Sequence, residues 1–484
     1  MIAWTIYLTF AGAALALLMP RRFARFVALL TTLAGFVITA VAFFQSAKVA
    51  TFTTITRLPW VPTLGMEYHL AVDGISLTLA LVTAVTALSA VLFSWDEQRR
   101  PNEFFFWLLL VVGGSYGVFL SADLFLFFLF YELVIVPKYF LILIWGSTNK
   151  EYGAMKLTLY SFFGGALVFI GILAAYLTGG SLDLSQLTQF PFSPQLQAWA
   201  FPVMFLGFAV LAGLWPLHTW APTGHVAAPT AGSMLLAGIV MKLGAYGALR
   251  VALNLFPAGF ALWRPWIVLL AVIGIVYAAA VALRQRDLKF VIGYSSVSHM
   301  GFVLLGLATA NALGVSGAVL QMFSHGVIGA LLFAIAGRMI YPRTHTRDLD
   351  ALSTMNLSRA LPFAAFAFVI ASAASMGIPG FSGFAAEITI LLGTWRSDPL
   401  AVWITGIGMV LVAAFTLRAL VKTFFNASPN ESTALPPHVL PPITIPEKLG
   451  AGLLIFATVA AGLYPKILFD RITPALEAMR FLQR

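Results

Sequence analysis

Four ionisable side chains lie deep inside long apolar stretches of this sequence, where they could exchange protons or form ion pairs. They are two acids and two bases: Glu132, Lys138, Lys242 and Glu387. An ionisable residue at the centre of a bilayer costs about 2.5–3.5 kcal/mol on insertion scales. Static salt bridges that fix helix packing are the alternative, but desolvation offsets the attraction within a buried pair. The pattern therefore favours a functional set of charges.

Histidines could connect these charges. His218 and His225 flank an interruption of one apolar stretch, and His299 and His325 lie inside two others. Histidine titrates near physiological pH and can pass a proton through bound water. A structural histidine held by hydrogen bonds is the alternative at each position. Lys289 is either a further channel residue or a cytoplasmic anchor whose stem snorkels to the interface.

The composition excludes most other kinds of chemistry. The chain has 484 residues, of which 60% are hydrophobic and only 10% are charged, whereas about 25% are charged in ordinary soluble domains. A soluble enzyme and a disordered chain are therefore excluded. Because there is no cysteine, disulfides, iron–sulfur clusters and thiolate zinc sites are excluded as well. We find no phosphate-binding glycine loop, dinucleotide fingerprint or catalytic metal spacing, and expect no cofactor or metal in this chain.

The elements that must position the charges are membrane-spanning helices. A span needs about 20 apolar residues, and such runs occur about fourteen times. They lie near 3–19, 25–44, 70–95, 104–120, 122–146, 155–178, 199–223, 228–255, 262–283, 287–308, 312–341, 357–395, 399–424 and 447–468. The predicted fold class is an all-α polytopic membrane protein. A proline-rich segment with Pro436 and Pro437 predicts an extended surface loop near 425–446.

Two of these helices are predicted to be discontinuous. The seventh contains Pro216 and the twelfth contains Pro379, each beside glycines. Such breaks persist where they line a polar cavity inside protein, and paired breaks indicate a transport path built from inverted repeats. Ordinary kinks are the alternative. We divide the chain into N-terminal helices (1–103), two related five-helix halves (104–256 and 257–425) and a C-terminal segment (426–484).

The basic residues predict how the chain is oriented. More than half of its 28 Lys and Arg fall in the odd-numbered connections, which the positive-inside rule assigns to the cytoplasm. They are Arg21, Arg22, Arg25, Arg99, Arg100, Lys150, Lys156, Arg284, Arg286, Lys289, Arg338, Arg343, Arg347, Arg359, Lys422 and Lys448. We expect a retained first helix and both termini on the non-cytoplasmic side of the inner (plasma) membrane. The net charge of +10 is thereby explained without nucleic acid.

Several stretches resemble the antiporter-like membrane subunits of respiratory complex I, and most closely the chain M type, which is related to mitochondrial subunit four and to the chloroplast D subunit. The matching stretches are 130–133 (FYEL), 216–222 (PLHTWAP), 225–233 (HVAAPTAGS), 241–247 (MKLGAYG), 294–301 (YSSVSHMG) and 377–384 (GIPGFSGF). The L and N types look to have a lysine where this chain has Glu387. The L type also has a long C-terminal extension.

The resemblance implies a proton channel within a redox-driven pump, a translocating NADH–quinone oxidoreductase. Glu132 would be the acid of the first half-channel, Lys242 the central lysine, His299 and His325 members of the polar axis, and Glu387 the terminal residue of the exit. NADH, FMN, iron–sulfur clusters and quinone would be bound by partner subunits. Those partners would be L-, N-, K-, J-, A- and H-type chains and the hydrophilic arm of the complex.

One position departs from the resemblance. The family usually has a lysine seven residues before the histidine of the Pro-Leu-His motif, and this chain has Leu211 there. Lys138, in the helix of Glu132, is unusual for the family. We hypothesise that Lys138 replaces the missing lysine from a neighbouring helix.

Three other functions remain open at this point. The chain could be the D-type subunit of a multisubunit Na⁺/H⁺ antiporter, or part of a related hydrogenase or ferredoxin-driven complex. It could also be a structural membrane subunit without a channel of its own.

Overall fold

Helices make up most of the protein. The computed structural model describes residues 1–45, 51–426 and 440–483. Its principal elements are α1 (Trp4–Leu18), α2 (Arg21–Gln45), β1 (Thr53–Val61), β2 (Met66–Val72), α3 (Gly74–Phe93), α4 (Pro101–Leu120), α5 (Leu124–Trp145), α6 (Lys150–Gly179), α7 (Pro194–Ala212), α8 (Trp220–Ala227), α9 (Thr230–Leu253), α10 (Pro257–Arg284), α11 (Leu288–Ala308), α12 (Ala312–Thr344), α13 (Pro362–Ser375), α14 (Ser382–Ser397), α15 (Pro399–Phe425), α16 (Ile445–Leu463) and α17 (Lys466–Glu477). The predicted loop at Pro436 and Pro437 lies outside the described residues.

The helices match the predicted apolar runs. Among the described residues, twelve helices are long and apolar enough to cross a membrane, and α1 and α13 are shorter apolar helices. Each predicted run coincides with a helix, except that 199–223 extends from α7 into α8 and 357–395 divides into α13 and α14. Large apolar side chains lie on the outside, as at Trp403 and Phe456, each 70% exposed. The chain is therefore a multi-pass membrane protein.

Both predicted interruptions are present, and proline explains where they fall. α7 ends four residues before Pro216, and α13 ends four residues before Pro379. Proline has no amide hydrogen for the carbonyl four residues earlier, so the helix loses a bond at that carbonyl. Gly213 (φ +83°) and Gly377 (φ +70°) then turn the chain through a left-handed conformation, which glycine adopts readily.

A third irregularity lies within α5. The α-helical conformation runs over Leu124–Leu133 and resumes over Ile135–Trp145. Pro137 stands four residues after Leu133, so the same loss of a hydrogen bond accounts for the irregular turn. This turn separates Glu132 from Lys138, so the two side chains do not share one regular helix.

The connection between α2 and α3 differs from the predicted all-α class. β1 and β2 pair as an antiparallel hairpin, which Gly65 closes with φ +65°. β1 contains three threonines, an isoleucine, a valine and a tryptophan, all of which suit strands. The hairpin lies between the end of α2 and the start of α3, and we refer to that side of the protein as the hairpin face.

α9 and α12 form the centre of the protein. Every residue from 231 to 253 is buried. The two helices touch at Gly238 and Gly326, where a Cβ built on Gly326 would lie 2.8 Å from the Gly238 carbonyl oxygen. Because glycine has no side chain, the backbones approach closely enough for Lys242 to reach His325. α9 is π-helical over Leu236–Val240 and again over Ala248–Leu253.

Candidate functional site

Four of the predicted site residues form one row through the centre of the protein. The Lys242 ammonium donates to the Ala237 carbonyl and lies 2.7 Å from His325 Nδ1. The rings of His325 and His299 stack with centroids 5.5 Å apart. His299 Nε2 in turn lies 3.6 Å from Glu387 Oε1. None of the four predicted residues is more than 4% exposed, so protein surrounds the row on all sides.

A small cavity adjoins the acidic end of this row. It has a volume of about 10 Å³, and His299, Glu387, Ser295 and Gln321 are among the residues that line it. A space of this size holds about one water molecule. The Glu387 carboxylate folds back over the second break, where a Cβ built on Gly377 would lie 2.6 Å from Oε2. The break therefore gives the acid the room it occupies.

Glu132 lies apart from the row, between α5 and α6. Its carboxylate packs against Gly165, where a built Cβ would lie 2.8 Å from Glu132 Cδ. Within the described ranges, Glu132 Oε1 is buried without a hydrogen-bond partner, and so is the hydroxyl of Ser161 one turn earlier on α6. Unpaired buried polar atoms are rare in native proteins and often mark ordered water or a functional group.

Lys138 points into the protein and away from lipid. Its side chain is 3% exposed and lines a cavity of about 10 Å³ together with Val111, Gly232 and Leu235. Among the residues that the structure describes, its ammonium has no hydrogen-bond partner and no carboxylate within 4 Å. The partly buried Glu132 and the buried Lys138 are therefore two separate charges in this conformation.

Leu211, which stands where the family usually has a lysine, contacts a different part of α9 from the part that Lys138 reaches. Leu211 contacts Gly244 of α9, with the Leu211 carbonyl carbon 3.1 Å from the Cβ built there. Lys138 reaches α9 at Leu235, nine residues earlier and therefore about 14 Å away along the axis. If Lys138 replaces the missing lysine, its charge must therefore act from a position about 14 Å away along the α9 axis.

The residues around the first break are buried. His218 is 2% exposed, and its ring centroid lies 5.6 Å from that of Tyr277. His225 stacks on Phe333 at 4.4 Å. Lys289 is 3% exposed and donates to a backbone carbonyl at the end of α8, 2.9 Å away. Lys289 therefore points inward and does not snorkel.

The prolines at the two helix breaks, Pro216 and Pro379, do not contribute side chains to the central row. Pro216 and Pro379 are both exposed at the protein surface. They shape the breaks through the backbone, and their rings do not line the central row.

Sequence reasoning missed a buried ion pair between α3 and α9. Arg250 donates to Asp73, and the two residues are 4% and 1% exposed. Arg250 lies inside the eighth apolar run, so the signal that identified Lys242 was present there too. Asp73 directly follows the hairpin and lies near the start of the third predicted run, 70–95, where the sequence analysis did not single it out.

One group of described side chains has the spacing of metal ligands: Glu67, His69 and Asp183. Arg57 occupies this group, with Nε 2.7 Å from Glu67 and Nη2 3.3 Å from Asp183. Burial raises the pKa of the Asp183 carboxyl, but hydrogen bonds, the one from His69 foremost, outweigh burial and hold that pKa well below its usual range. The group is a hydrogen-bonded clamp on the hairpin.

The amino-acid sequence of this chain is similar to those of known membrane proteins. Residues 121–413 match the family model described as the transmembrane region of NADH:quinone oxidoreductase and the Mrp antiporter. The chain is 37% identical over 470 residues to NAD(P)H-quinone oxidoreductase chain 4 1 of Synechococcus elongatus, covering 94% of this chain and 87% of the relative. It is 36% identical over 430 residues to NADH-quinone oxidoreductase subunit M of Rhodobacter capsulatus, covering 86% and 82%.

Solved structures share the fold. A chain of respiratory complex I from Thermus thermophilus with bound NADH superposes with a TM-score of 0.90 at 26% identity, covering 100% of this chain and 99% of that one. A chain of the Mrp complex from Dietzia sp. gives a TM-score of 0.85 at 19% identity, with 100% and 98% covered, which is evidence of fold alone. By its sequence and its fold together, the chain belongs to the family of antiporter-like membrane subunits of NADH:quinone oxidoreductase.

Proposed function

We propose that this chain is a proton-translocating membrane subunit, of the chain M type, in an NADH:quinone oxidoreductase. The observation that carries the proposal is the buried row of Lys242, His325, His299 and Glu387, in which each group lies close to the next. Neighbouring acids and bases can hand protons along when they lie within hydrogen-bond reach or one water apart. NADH, FMN, iron–sulfur clusters and quinone belong to partner subunits, and this chain contributes the membrane path.

The proton enters from the cytoplasmic side near the first break and is held by Lys242. From there it passes to His325, whose Nδ1 already lies 2.7 Å from the ammonium. Water between the two histidines and at the Glu387 cavity completes the path, because the 3.6 Å step from His299 to Glu387 exceeds a normal hydrogen bond. Glu387 then releases the proton on the other side.

Glu132 and Lys138 form the switch. Lys138 is buried, Glu132 is partly buried with its Oε1 inaccessible to solvent, and the irregular turn that Pro137 causes lies between them. In the closed state the carboxylate favours the charged lysine. When a neighbouring subunit perturbs the pair, the lysine charge acts on Lys242 and makes its proton easier to release.

The assembly around the chain follows from its charge distribution and family. Odd-numbered connections face the cytoplasm, both termini face the opposite side of the inner (plasma) membrane, and the halves 104–256 and 257–425 are inverted repeats. The partners are the L-, N-, K-, J-, A- and H-type membrane chains and the hydrophilic arm. An antiporter D-type role is less favoured, since relatives with 36–37% identity are quinone oxidoreductase subunits and the Mrp likeness has 19% identity.

The test is proton pumping by the assembled complex in liposomes, read with a pH-sensitive dye during NADH oxidation. Lys242→Met and Glu387→Gln should each lower the number of protons moved per NADH. Lys466→Met is the matched control, because this lysine is 63% exposed and lies on α17, away from the row. Normal pumping in both axis variants would defeat the proposal, and a pump that responds only to Na⁺ would favour the antiporter role.

A further inference from the structure

A polar cavity of about 240 Å³ opens on the hairpin face. Its polar lining consists of Thr51, Asp73, Ser185, Thr188, Gln189, Arg250 and Asn254. A second large cavity of about 200 Å³, between α2 and α16, has an apolar lining throughout. A roomy cavity with several polar partners holds water, whereas an apolar one stays dry. The polar cavity, termed the vestibule, therefore suits water and leads into the first half of the protein.

The ion pair of Asp73 and Arg250 forms the floor of the vestibule. These two are its most deeply buried polar residues, at 1% and 4% exposure, whereas Ser185 and Gln189 are exposed. The Arg250 guanidinium lies over the ring of Phe52, 4.4 Å from its centroid. The vestibule therefore ends at a charged group and does not continue as an open pore.

Lys242 lies on the same helix as Arg250, α9, about two turns deeper in the protein. Lys242, Tyr246, Arg250 and Asn254 follow one another at intervals of four residues, which brings side chains to neighbouring positions on a helix. The Arg250 guanidinium lies 5.4 Å from the centroid of the Tyr246 ring, so these two are in contact. Eight residues separate Lys242 from Arg250, which is about 12 Å along the axis. Tyr246 fills that interval, with its hydroxyl donating to the Phe119 carbonyl at 3.0 Å.

We propose that Arg250, held by Asp73, is a cation barrier that prevents protons in the vestibule from reaching Lys242. A pump must keep its proton site closed to one side while it is open to the other, and the vestibule brings water within a few turns of that site. A fixed arginine at a constriction opposes the passage of protons and other cations. This inference depends on one part of the proposed function, namely that Lys242 carries protons.

The charge of Arg250 is only partly cancelled by its partner. Asp73 also caps α3, where its Oδ1 accepts hydrogen bonds from the amides of Ile75 at 3.0 Å and Ser76 at 2.9 Å. The positive end of the helix dipole therefore offsets part of the carboxylate charge. The field at the vestibule floor remains that of a cation.

The test measures passive proton entry into liposomes that hold the assembled, resting complex, driven by a potassium diffusion potential without NADH. Arg250→Gln should leak protons several-fold faster than the wild type, whereas Arg250→Lys, which keeps the charge, should not. Arg264→Gln is the matched control, since Arg264 pairs with Asp398 away from the vestibule and the two are 23% and 28% exposed. An unchanged rate in Arg250→Gln would overturn the proposal.

Two further measurements keep the test decisive. Adding Lys242→Met to Arg250→Gln should abolish the leak, and a leak that persists would overturn the assigned path. If Arg250→Gln fails to assemble, the double variant Asp73→Asn/Arg250→Gln removes both charges and should leak in the same way. Because the leak assay uses no turnover, it is separate from the pumping assay: a leak in Arg250→Gln that Lys242→Met abolishes would support the barrier even if both axis variants pumped normally and the proposed function failed.

The aqueous nature of the vestibule has its own test. The chain contains no cysteine, so Asn254→Cys introduces its only thiol. A membrane-impermeant maleimide should modify the chain when added on the hairpin face and not on the other face, as read from the mass of this subunit. No modification from the hairpin face would contradict an aqueous inlet and with it the need for a barrier.

Discussion

Gly165→Ala should impair pumping without changing any charge. A Cβ built at this position would lie 2.8 Å from Cδ of Glu132 and 3.2 Å from Oε2, whereas ordinary contacts begin near 3.4 Å. The Oε1 atom of Glu132 lies closer still, so the carboxylate must retreat by about 1 Å. Extra atoms in a packed interior usually cost about 1–3 kcal/mol, and we expect the low end here because the moving atoms are the end of a flexible side chain.

The functional effect should be larger than the effect on stability. A misplacement of about 1 Å can cost about a hundredfold in a reaction that depends on geometry, so proton flux should fall between about ten- and a hundredfold. The assay compares protons moved per NADH in assembled complex, together with its thermal stability. Gly406→Ala is the matched control, since within the described chain no atom lies within 4 Å of a Cβ built there.

A compensating substitution tests the cause. Aspartate is shorter than glutamate by one methylene, about 1.5 Å, so Glu132→Asp should relieve the clash in the Gly165→Ala background. The double variant should then pump better than Gly165→Ala alone, which is a coupling that independent sites would not show. Full pumping by Gly165→Ala in a normally assembled complex would refute a positional role for Glu132.

Three other changes test separate parts of the structure. Lys138→Met should lower pumping yet raise thermal stability, because it removes a buried charge without a partner among the described residues; unchanged pumping would exclude Lys138 from the switch. Gly238→Ala should separate α9 from α12, since its Cβ would lie 3.3 Å from the Gly326 carbonyl oxygen of α12, and should weaken proton transfer from Lys242; pumping equal to wild type would contradict this. Burial raises the pKa of Asp183, but hydrogen bonds, the one from His69 foremost, together lower it further, so the stabilising effect of the carboxylate is complete above its usual pKa of about 3.9 and is lost only at lower pH. Protection factors for hydrogen exchange in β2, which correct for the base-catalysed intrinsic rate, should therefore match at pH 7 and pH 5.5, and Asp183→Asn should lower them at both; protection lost on lowering the pH alone would contradict the assignment.

The helices could be read from the sequence because lipid imposes a simple rule. Spans need long apolar runs, and a proline with nearby glycines shows where a run must stop. α7 and α13 both end four residues before such a proline. The hairpin was not predicted, because two short strands without an apolar run carry a much weaker signal than a span.

The site was only partly predictable. Lys242 and Glu387 stand out because each is a charge within an apolar run. Arg250 carries the same signal and was overlooked, and its partner Asp73 belongs to a different helix. Lys138 was hypothesised to replace the lysine that is missing at Leu211, yet its cavity is lined by residues of α9 about nine positions away from the part of α9 that Leu211 contacts. Sequence spacing gives positions along one helix, and it contains no information on which faces of separate helices meet.

By itself, the sequence determined that this is a polytopic helical membrane protein, which ionisable groups it buries, and where two of its helices break. These properties depend on local composition and on the hydrogen bonds that proline cannot make. The tertiary structure decided that Lys242, His325, His299 and Glu387 form one row, that Glu132 and Lys138 stand apart, and that Arg250 lies between a polar cavity and the lysine. The physical reason is that helix packing joins residues distant in sequence, as where Gly238 meets Gly326, and that contact depends on the shapes of both surfaces.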